Sequence, residues 1–134
     1  MDEFIAKKEK SGGIKLPKIL IVDDEENIRT LIKEELEDAG FEVYCAPNAK
    51  KALEILEENE DIEIICTDIE MHDVNGLELA AEIRKKYSNK KIIFLTAYSH
   101  YKSEMASWAA DAYVVKSMDL TELIDTINNL IKIK

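Results

Sequence analysis

Five short apolar runs, rich in β-branched residues, alternate along the chain with segments in which apolar residues recur at helical spacing. Short runs between helical patterns predict buried strands. A repeated strand-helix unit favours parallel strands, because each right-handed crossover returns the chain to the same edge of the sheet. We therefore expect an α/β fold with a doubly wound, five-stranded parallel sheet and helices on both of its faces. The predicted strands cover residues 19–23, 41–46, 62–67, 92–96 and 112–115.

Each predicted strand is followed by a pattern that predicts a helix. The fourth of these helices is short, over residues 101–109, where Tyr101, Met105 and Trp108 lie at helical spacing and form either a core stripe or a docking surface. The apolar residues that mark the other four helices are Ile28, Leu31, Ile32 and Leu36, then Ala49, Ala52, Leu53 and Leu56, then Leu77, Ala80, Ala81 and Ile83, and finally Leu120, Leu123, Ile124, Ile127 and Ile131.

The first seventeen residues differ from the rest of the chain, because they are rich in charge and show little periodicity. We expect residues 1–17 to form a flexible N-terminal extension that ends at Pro17, and residues 18–134 to form one domain. A chain of 134 residues with 46% hydrophobic content can build a single core. Its end at Lys134, soon after the last predicted helix, leaves open whether the protein has one domain or is a fragment of a longer one.

The formal net charge of the chain is −10 at pH 7. This surplus of acidic residues argues against non-specific binding to nucleic acid or to anionic membranes, which attract Lys and Arg. No apolar stretch approaches the roughly 20 residues that span a bilayer, and the N-terminus has no apolar core like that of a signal peptide. We therefore expect a cytoplasmic protein. Cys45 and Cys66 lie in different apolar runs, which predicts core thiols rather than a disulfide or a metal pair.

Charged residues stand at the ends of three predicted strands. Asp23 and Asp24 close the first apolar run, Asp68 closes the third and Lys116 closes the fifth, while Thr96 ends the fourth strand. In a doubly wound sheet, ligands bind beyond the carboxyl ends of the strands at the point where the strand order reverses. We therefore expect an acidic pocket that contains one cation. Carboxylates packed together need a divalent ion or a nearby cation before they can all ionise.

Each of these residues also has a simpler interpretation. Asp23, Asp24 and Glu25 suit the N-terminus of the first helix, where acidic residues are favoured. Lys116 fits a solvated lysine at a strand end, and Thr96 fits a β-forming residue that ends a strand. A phosphate-cradling loop is disfavoured, because the turn after the first strand is acidic and lacks glycine.

The arrangement resembles the receiver domains of two-component response regulators. Members of that family have an acidic pair after the first strand, an aspartate after the third and Thr or Ser after the fourth. An aromatic residue stands three positions before a lysine after the fifth strand. The matching residues in this chain are Asp23, Asp24, Asp68, Thr96, Tyr113 and Lys116. The resemblance covers residues 18–134, and it implies the flavodoxin-like strand order 2-1-3-4-5.

The resemblance implies a chemical role for each charged residue. Asp68 is the nucleophile that takes a phosphoryl group from a phosphohistidine on a sensor histidine kinase or a histidine phosphotransfer protein. Mg²⁺ is held by Asp24, Asp68 and the backbone carbonyl of Glu70, with Asp23 acting through water. Lys116 pairs with a phosphoryl oxygen as a point charge.

Two further residues carry the response in the resemblance. The Thr96 hydroxyl binds another phosphoryl oxygen, and its movement lets the aromatic ring of Tyr113 turn inward. The implied result is a changed surface for a downstream protein partner. Because Tyr113 stands next to Val114 and Val115, a purely structural place in the core is the alternative for its ring.

Two residues depart from the pattern of the family. His72 and Ser117 stand where prolines are usual, and the peptide bond before the second of these prolines is commonly cis. A cis bond before a residue other than proline costs about 2.5–4 kcal/mol, so we expect a trans bond before Ser117 or a locally altered loop. Gly76 keeps the glycine of the loop that follows Asp68.

These observations predict a Mg²⁺-dependent phosphoacceptor signalling domain that is not an enzyme beyond its own phosphorylation and dephosphorylation. The main alternative is a receiver-like interaction module that signals without phosphorylation. A hydrolase with an aspartyl-phosphate intermediate fits less well. Such enzymes resemble one another in a D-x-D motif after their first strand, whereas Asp68-Ile69-Glu70 follows the third.

Overall fold

The computed structural model describes residues 16–71, 75–97 and 110–132. The helix predicted over residues 101–109 and the residue His72 lie outside these ranges. The strands are β1 Lys18–Val22, β2 Glu42–Ala46, β3 Ile64–Thr67, β4 Lys91–Thr96 and β5 Ala112–Val115. The described helices are α1 Glu26–Asp38, α2 Ala49–Glu58, α3 Gly76–Lys86 and α4 Thr121–Lys132. None of these four helices combines the length and the apolar character that a membrane crossing requires.

All five strands are parallel, and their order across the sheet is β2-β1-β3-β4-β5. This finding confirms the predicted doubly wound sheet and its order 2-1-3-4-5. The order reverses at β1 and β3, which are neighbours, with Val22 in register with Thr67. The next residues along the two strands, Asp23 and Asp68, therefore emerge side by side at the carboxyl edge of the sheet.

Helices cover both faces of the sheet. Successive residues of a strand point to opposite faces, so Leu20 and Val22 of β1 join one core cluster while Ile19 and Ile21 join the other. The helix residues of the first cluster are Ala49, Ala52, Leu56, Leu79, Ala80 and Ile83 from α2 and α3, and those of the second are Ile32, Leu36, Leu123 and Ile127 from α1 and α4. Burial on both faces explains why the strands read as continuous apolar runs.

Two strands begin later than the sequence predicts. Phe41 and Ile62 are buried, but they precede β2 and β3. The amide of Phe41 donates to the carbonyl of Leu36 and closes the end of α1, where Gly40 has a φ of 101°. The amide of Ile62 donates to the carbonyl of Asn59 and closes a turn. The remaining differences are that β1 includes Lys18 and ends before Asp23, and that β4 includes Lys91.

The two cysteines lie on opposite sides of β1. Ile21 is in register with Cys45 of β2 and with Cys66 of β3, and both thiols are free. The prediction of two separate thiols is therefore confirmed. Burial raises the pKa of Cys66 to about 12, and it also raises the pKa of the half-buried Cys45.

A buried lysine forms hydrogen bonds between two chain segments at the amino edge of the sheet. Lys90, just before β4, is 5% exposed, and its Nζ donates to the carbonyls of Glu60 at 2.7 Å and Ile62 at 2.6 Å. The ammonium group also lies 5.1 Å from the centroid of the Tyr87 ring. Burial lowers the pKa of Lys90. These contacts join the end of the α3–β4 connection to the start of β3, at the opposite edge of the sheet from Asp23.

Candidate functional site

Three carboxylates meet at the carboxyl edge of the sheet. Asp23 and Asp24 follow β1, Asp68 follows β3, and one oxygen atom of each lies within 4.8 Å of the other two. Asp23 is 2% exposed and Asp68 is 9% exposed, whereas Asp24 is half-buried. Carboxylates this close repel one another, so their joint ionisation needs a compensating positive charge.

Lys116 supplies such a charge from the end of β5. Its Nζ lies 2.7 Å from Oδ2 of Asp23 and 3.1 Å from Oδ2 of Asp68. The structure thus brings together the four charged groups that the sequence places at strand ends. The ion pairs also exclude the simpler interpretation of Lys116 as a solvated lysine.

Burial and ion pairing shift the pKa values of two of these groups. Burial and, to a smaller extent, the charge of Asp23 raise the pKa of Asp68, and together they exceed the lowering by Lys116. Burial alone lowers the pKa of Lys116, but its hydrogen bond to Asp23 and the charges of both carboxylates outweigh that effect, so the net shift is upward. Lys116 is therefore cationic at neutral pH, while Asp68 loses its proton less readily than a solvated aspartate.

Several contacts fix Asp23 at the end of β1. Its amide donates to the carbonyl of Ala46 at 3.2 Å, and its Oδ1 accepts from the amide of Glu25 at 2.9 Å. Its carbonyl accepts from Nη1 of Arg29, on α1, at 2.8 Å. Asp23 therefore shapes the turn that leads into α1 and also pairs with Lys116. It thus lies at the entry to α1 and also belongs to the acidic cluster.

The main chain of Asp68 is held equally closely. Its amide donates to the carbonyl of Val22 at 3.0 Å, and its carbonyl accepts from the Thr67 hydroxyl at 3.0 Å. Gly76, the first residue of α3, lies against the same carbonyl, and a Cβ at this position would overlap the oxygen. The amide of Gly76 donates to the carbonyl of Ile69 at 2.7 Å. The start of α3 therefore lies directly against the main chain of Asp68 and Ile69, and glycine is the residue that fits there.

An open cleft of about 400 Å³ gives access to Asp24 and Asp68. Glu70, a predicted metal-binding residue through its carbonyl, is exposed and lines this cleft. The described residues that line the cleft are Asp24, Glu25, Asp68, Glu70, Met71, Ala97 and Lys116.

Thr96 and Tyr113 are absent from that lining and lie inside the protein. Thr96 ends β4 fully buried, and its carbonyl accepts from the amide of Lys116 at 2.7 Å. Tyr113 is 9% exposed, is in register with Phe94 and belongs to the core cluster that contains it. The ring of Tyr113 is therefore already turned inward in this structure.

Hydrogen bonds order the loop after Lys116. The peptide bond before Ser117 is trans, as predicted, and the described part of the chain contains no cis bond. The Ser117 hydroxyl oxygen accepts from the amide of Asp119 at 3.0 Å, and Oδ1 of Asp119 accepts from the amide of Thr121 at 3.0 Å. Two consecutive side-chain turns thus lead from β5 into α4 without a proline.

The sequence does not identify two residues that support the site. Arg29 and Thr67 act through bonds to main-chain carbonyls, and such bonds leave no periodic or compositional pattern. Gly76 is signalled as a loop glycine, but its contact with the Asp68 carbonyl appears only in the folded chain.

The donor atoms of the site fit a hard divalent cation. Three carboxylate oxygens lie within 4.8 Å of one another, and two of their residues, Asp24 and Asp68, line the cleft. Carboxylate oxygens are the type of ligand that Mg²⁺ prefers. The cluster thus has donor atoms suited to a divalent cation, and one of its three carboxylates, Asp68, is held next to the Lys116 ammonium.

Solved structures of response regulators have the same fold. The response regulator TrrA of Thermotoga maritima, in complex with Mg²⁺-BeF, is 50% identical to this chain. The match covers 86% of this chain and 99% of TrrA, with a TM-score of 0.81. TrrA in complex with the histidine kinase ThkA matches with a TM-score of 0.79 and covers 86% of this chain and 98% of that chain.

Curated relatives agree with this similarity. The regulatory protein AtoC of Escherichia coli is 32% identical over 108 residues, which are 79% of this chain and 23% of AtoC. This chain spans about half or less of the length of the first curated relatives that it matches. The family model described as the response regulator receiver domain matches residues 19–128. The chain therefore belongs to the receiver domain family of two-component response regulators.

Proposed function

We propose that this chain is a phosphoacceptor signalling domain in which Asp68 takes a phosphoryl group from a phosphohistidine. The donor is a sensor histidine kinase or a histidine phosphotransfer protein. The observation that carries the proposal is a mostly buried carboxylate that lies 3.1 Å from the Lys116 ammonium and lines an open cleft. The complexes of the similar regulator TrrA with Mg²⁺-BeF and with a histidine kinase support the same chemistry here.

Asp68 acts as the nucleophile in this proposal. One carboxylate oxygen forms a bond to phosphorus while the phosphorus–nitrogen bond of the phosphohistidine breaks, and the electron pair stays on the imidazole. The products are an acyl phosphate and a histidine. Lys116 exchanges its contact with Asp68 for a phosphoryl oxygen, and the Thr96 hydroxyl donates to another.

The residues that would hold Mg²⁺ are Asp24, Asp68 and the carbonyl of Glu70, with Asp23 reaching the ion through water. When bound, the ion neutralises charge that otherwise repels the incoming phosphoryl oxygens. The contribution of the chain itself is to hold these oxygens close together beforehand. The main-chain contacts of Asp23 and Asp68 support that role.

The output of the domain is a changed protein-binding surface. In the proposal, movement of the Thr96 hydroxyl alters the packing around Tyr113 on the neighbouring strand β5. The partner is a downstream protein, because a net charge of −10 disfavours direct binding to nucleic acid or to an anionic membrane. We assign the domain to the cytoplasm and treat it as an acceptor with at most its own autodephosphorylation, rather than as a multiple-turnover enzyme.

Intact mass spectrometry after incubation with acetyl phosphate tests the proposal. Wild-type protein in MgCl₂ is expected to gain about 80 Da, the mass of one phosphoryl group. The gain should disappear in EDTA and in Asp68→Asn. Asp125→Asn, which changes an exposed residue of α4, should label like the wild type. Labelling that survives Asp68→Asn would contradict the assignment of the acceptor.

One observation favours a second candidate, a receiver-like module that signals without phosphorylation. Lys116 already pairs with Asp23 and Asp68, so the charges of the pocket are partly compensated by the chain itself. Absence of labelling with both acetyl phosphate and a phosphorylated histidine kinase, in a folded protein, would favour this candidate. Sustained turnover of phosphate monoesters would instead point to a hydrolase.

A further inference from the structure

Arg29 makes a contact with the acidic site that the proposed chemistry does not use. It lies in the first turns of α1, is half-buried, and donates from Nη1 to the main-chain carbonyl of Asp23 at 2.8 Å. This carbonyl belongs to the peptide group that joins Asp23 to Asp24. The guanidinium therefore holds the link between two of the three carboxylate residues.

The peptide group on the other side of Asp24 is also held. The amide of Glu25, which belongs to the Asp24–Glu25 peptide group, donates to Oδ1 of Asp23 at 2.9 Å. Because each peptide group is planar, a hydrogen bond to its carbonyl or from its amide restrains the orientation of the whole group. Asp24 thus lies between two restrained peptide planes, and the direction in which its side chain leaves the main chain is restrained with them.

A role of Arg29 in attaching α1 to the sheet explains its bond to Asp23 less well than a role in orienting Asp24. The helix α1 is already attached to the sheet through Ile32 and Leu36, which are 2% and 0% exposed. A further bond from Arg29 adds little to the attachment of the helix, but it constrains the turn that carries Asp24. The role of the bond is indicated by the carbonyl that accepts it, which belongs to the peptide group next to Asp24.

We propose that Arg29 is a positioning residue, which orients Asp24 for binding a divalent cation. The inference rests on the metal site of the proposed function. It goes beyond that site by assigning part of the affinity for Mg²⁺ to a side chain that never touches the ion. Partners that orient metal ligands typically contribute 10–100-fold to metal affinity.

The direction of the change in Mg²⁺ affinity distinguishes a positioning role of Arg29 from an effect of its charge. Arg29 is a cation close to an acidic pocket, so its charge alone weakens Mg²⁺ binding, and neutralising it would strengthen binding. Loss of positioning has the opposite effect. Arg29→Met therefore weakens the affinity for Mg²⁺ if the residue orients Asp24, and strengthens it if the residue acts through charge.

Titration of Mg²⁺ into the folded, unphosphorylated protein provides the test, with Kd obtained from amide chemical shifts. Lys33→Met is the matched control, because Lys33 lies one turn further along α1 and pairs with Glu37 at its surface. We expect Kd to rise about tenfold in Arg29→Met and to stay unchanged or fall in Lys33→Met. Equal Kd values in the two variants would overturn the inference.

Two further measurements keep the result interpretable. Urea unfolding establishes that each variant is folded at the temperature of the titration, and Arg29→Gln replaces Arg29→Met with the same expectation if the latter is unfolded. Wild-type protein that neither binds Mg²⁺ nor accepts phosphate overturns the proposed function and this inference together. Wild-type binding and labelling, with Arg29→Met at the wild-type Kd, overturns the role of Arg29 alone.

Discussion

The Nζ atom of Lys116 lies 2.7 Å from Oδ2 of Asp23, a side chain that is only 3% exposed. The same ammonium group lies 3.1 Å from Oδ2 of Asp68. One cation thus compensates two carboxylates from different strands. A divalent ion that bound in the pocket would lie beside this ammonium group or compete with it for the two carboxylates.

Removal of this cation is expected to expose the repulsion between the carboxylates. Lys116→Met should lower the free energy of unfolding in EDTA by roughly 2–4 kcal/mol, because buried charges lose their partner. Urea unfolding with and without MgCl₂ measures the effect, and Mg²⁺ should recover much of the loss. Lys33→Met, which breaks an exposed pair with Glu37, should change stability by less than about 0.5 kcal/mol. Equal effects of the two variants would contradict a shared role for Lys116.

The pH dependence of stability should reverse between two aspartates. Burial raises the folded-state pKa of Asp68 above the ordinary value of 3.8, so its stabilising contribution is present below that value and is lost as pH rises through the raised pKa. Asp68→Asn should therefore be more stable than the wild type at pH 7, with a difference that shrinks towards pH 3.8. Thermal unfolding between these pH values tests the expectation.

Asp119 provides the opposite case. Its hydrogen bonds with Thr121 lower its pKa, so its contribution is present above the ordinary value and is lost as pH falls through the lowered pKa. Asp119→Asn should be less stable than the wild type at pH 7. If Asp68→Asn and Asp119→Asn changed the stability at pH 7 in the same direction, general charge repulsion and not the local contacts would dominate.

The close packing of Gly76 predicts a coupled loss of stability and function. Gly76→Ala forces a Cβ into the carbonyl of Asp68, which should cost about 1–3 kcal/mol and displace Asp68, the proposed acceptor. Gly40→Ala is the matched control, because a Cβ there meets no neighbour and only the positive φ is strained. We expect the control to lose about 1–2 kcal/mol and to label at the wild-type rate. Urea unfolding and the rate of labelling by acetyl phosphate compare the two.

Lys90 should contribute to stability without affecting the chemistry. Lys90→Met removes two donors from the carbonyls of Glu60 and Ile62, with an expected loss of about 2–4 kcal/mol. Because this residue lies at the amino edge of the sheet, the rate of phosphorylation of the folded variant should stay within about twofold of the wild type. A slower rate in protein that is fully folded would show that the two edges are coupled.

Much of the fold follows from patterns that are local in sequence. The strands at residues 92–96 and 112–115 are found nearly where the apolar runs predict them, because burial on both faces leaves no polar residue inside the run. The sequence pattern predicts strands at Phe41 and Ile62 because apolar character indicates burial, but it does not indicate which amides pair with a neighbouring strand. Strand ends therefore depend on turns that the pattern does not contain.

The site was predictable to the extent that strand ends determine it. Parallel strands bring Asp23, Asp68 and Lys116 to one edge whatever their side-chain conformations, so their meeting follows from topology. The contribution of Arg29 depends instead on the path of one long side chain back to a carbonyl six residues earlier. Contacts of that kind are fixed by tertiary packing, and the sequence alone does not reveal them.

The separation of Cys45 and Cys66 by the whole of β1 has a consequence for how the protein responds to oxidants. Two strand spacings place their Cα atoms about 9–10 Å apart, beyond the reach of a disulfide. Burial raises the pKa of both thiols, so the reactive thiolate is scarce in the native state. The phosphorylation proposed for the native domain should therefore not depend on oxidation of these two thiols. Unfolded chains, whose thiols are free to meet, are the species that oxidation would trap.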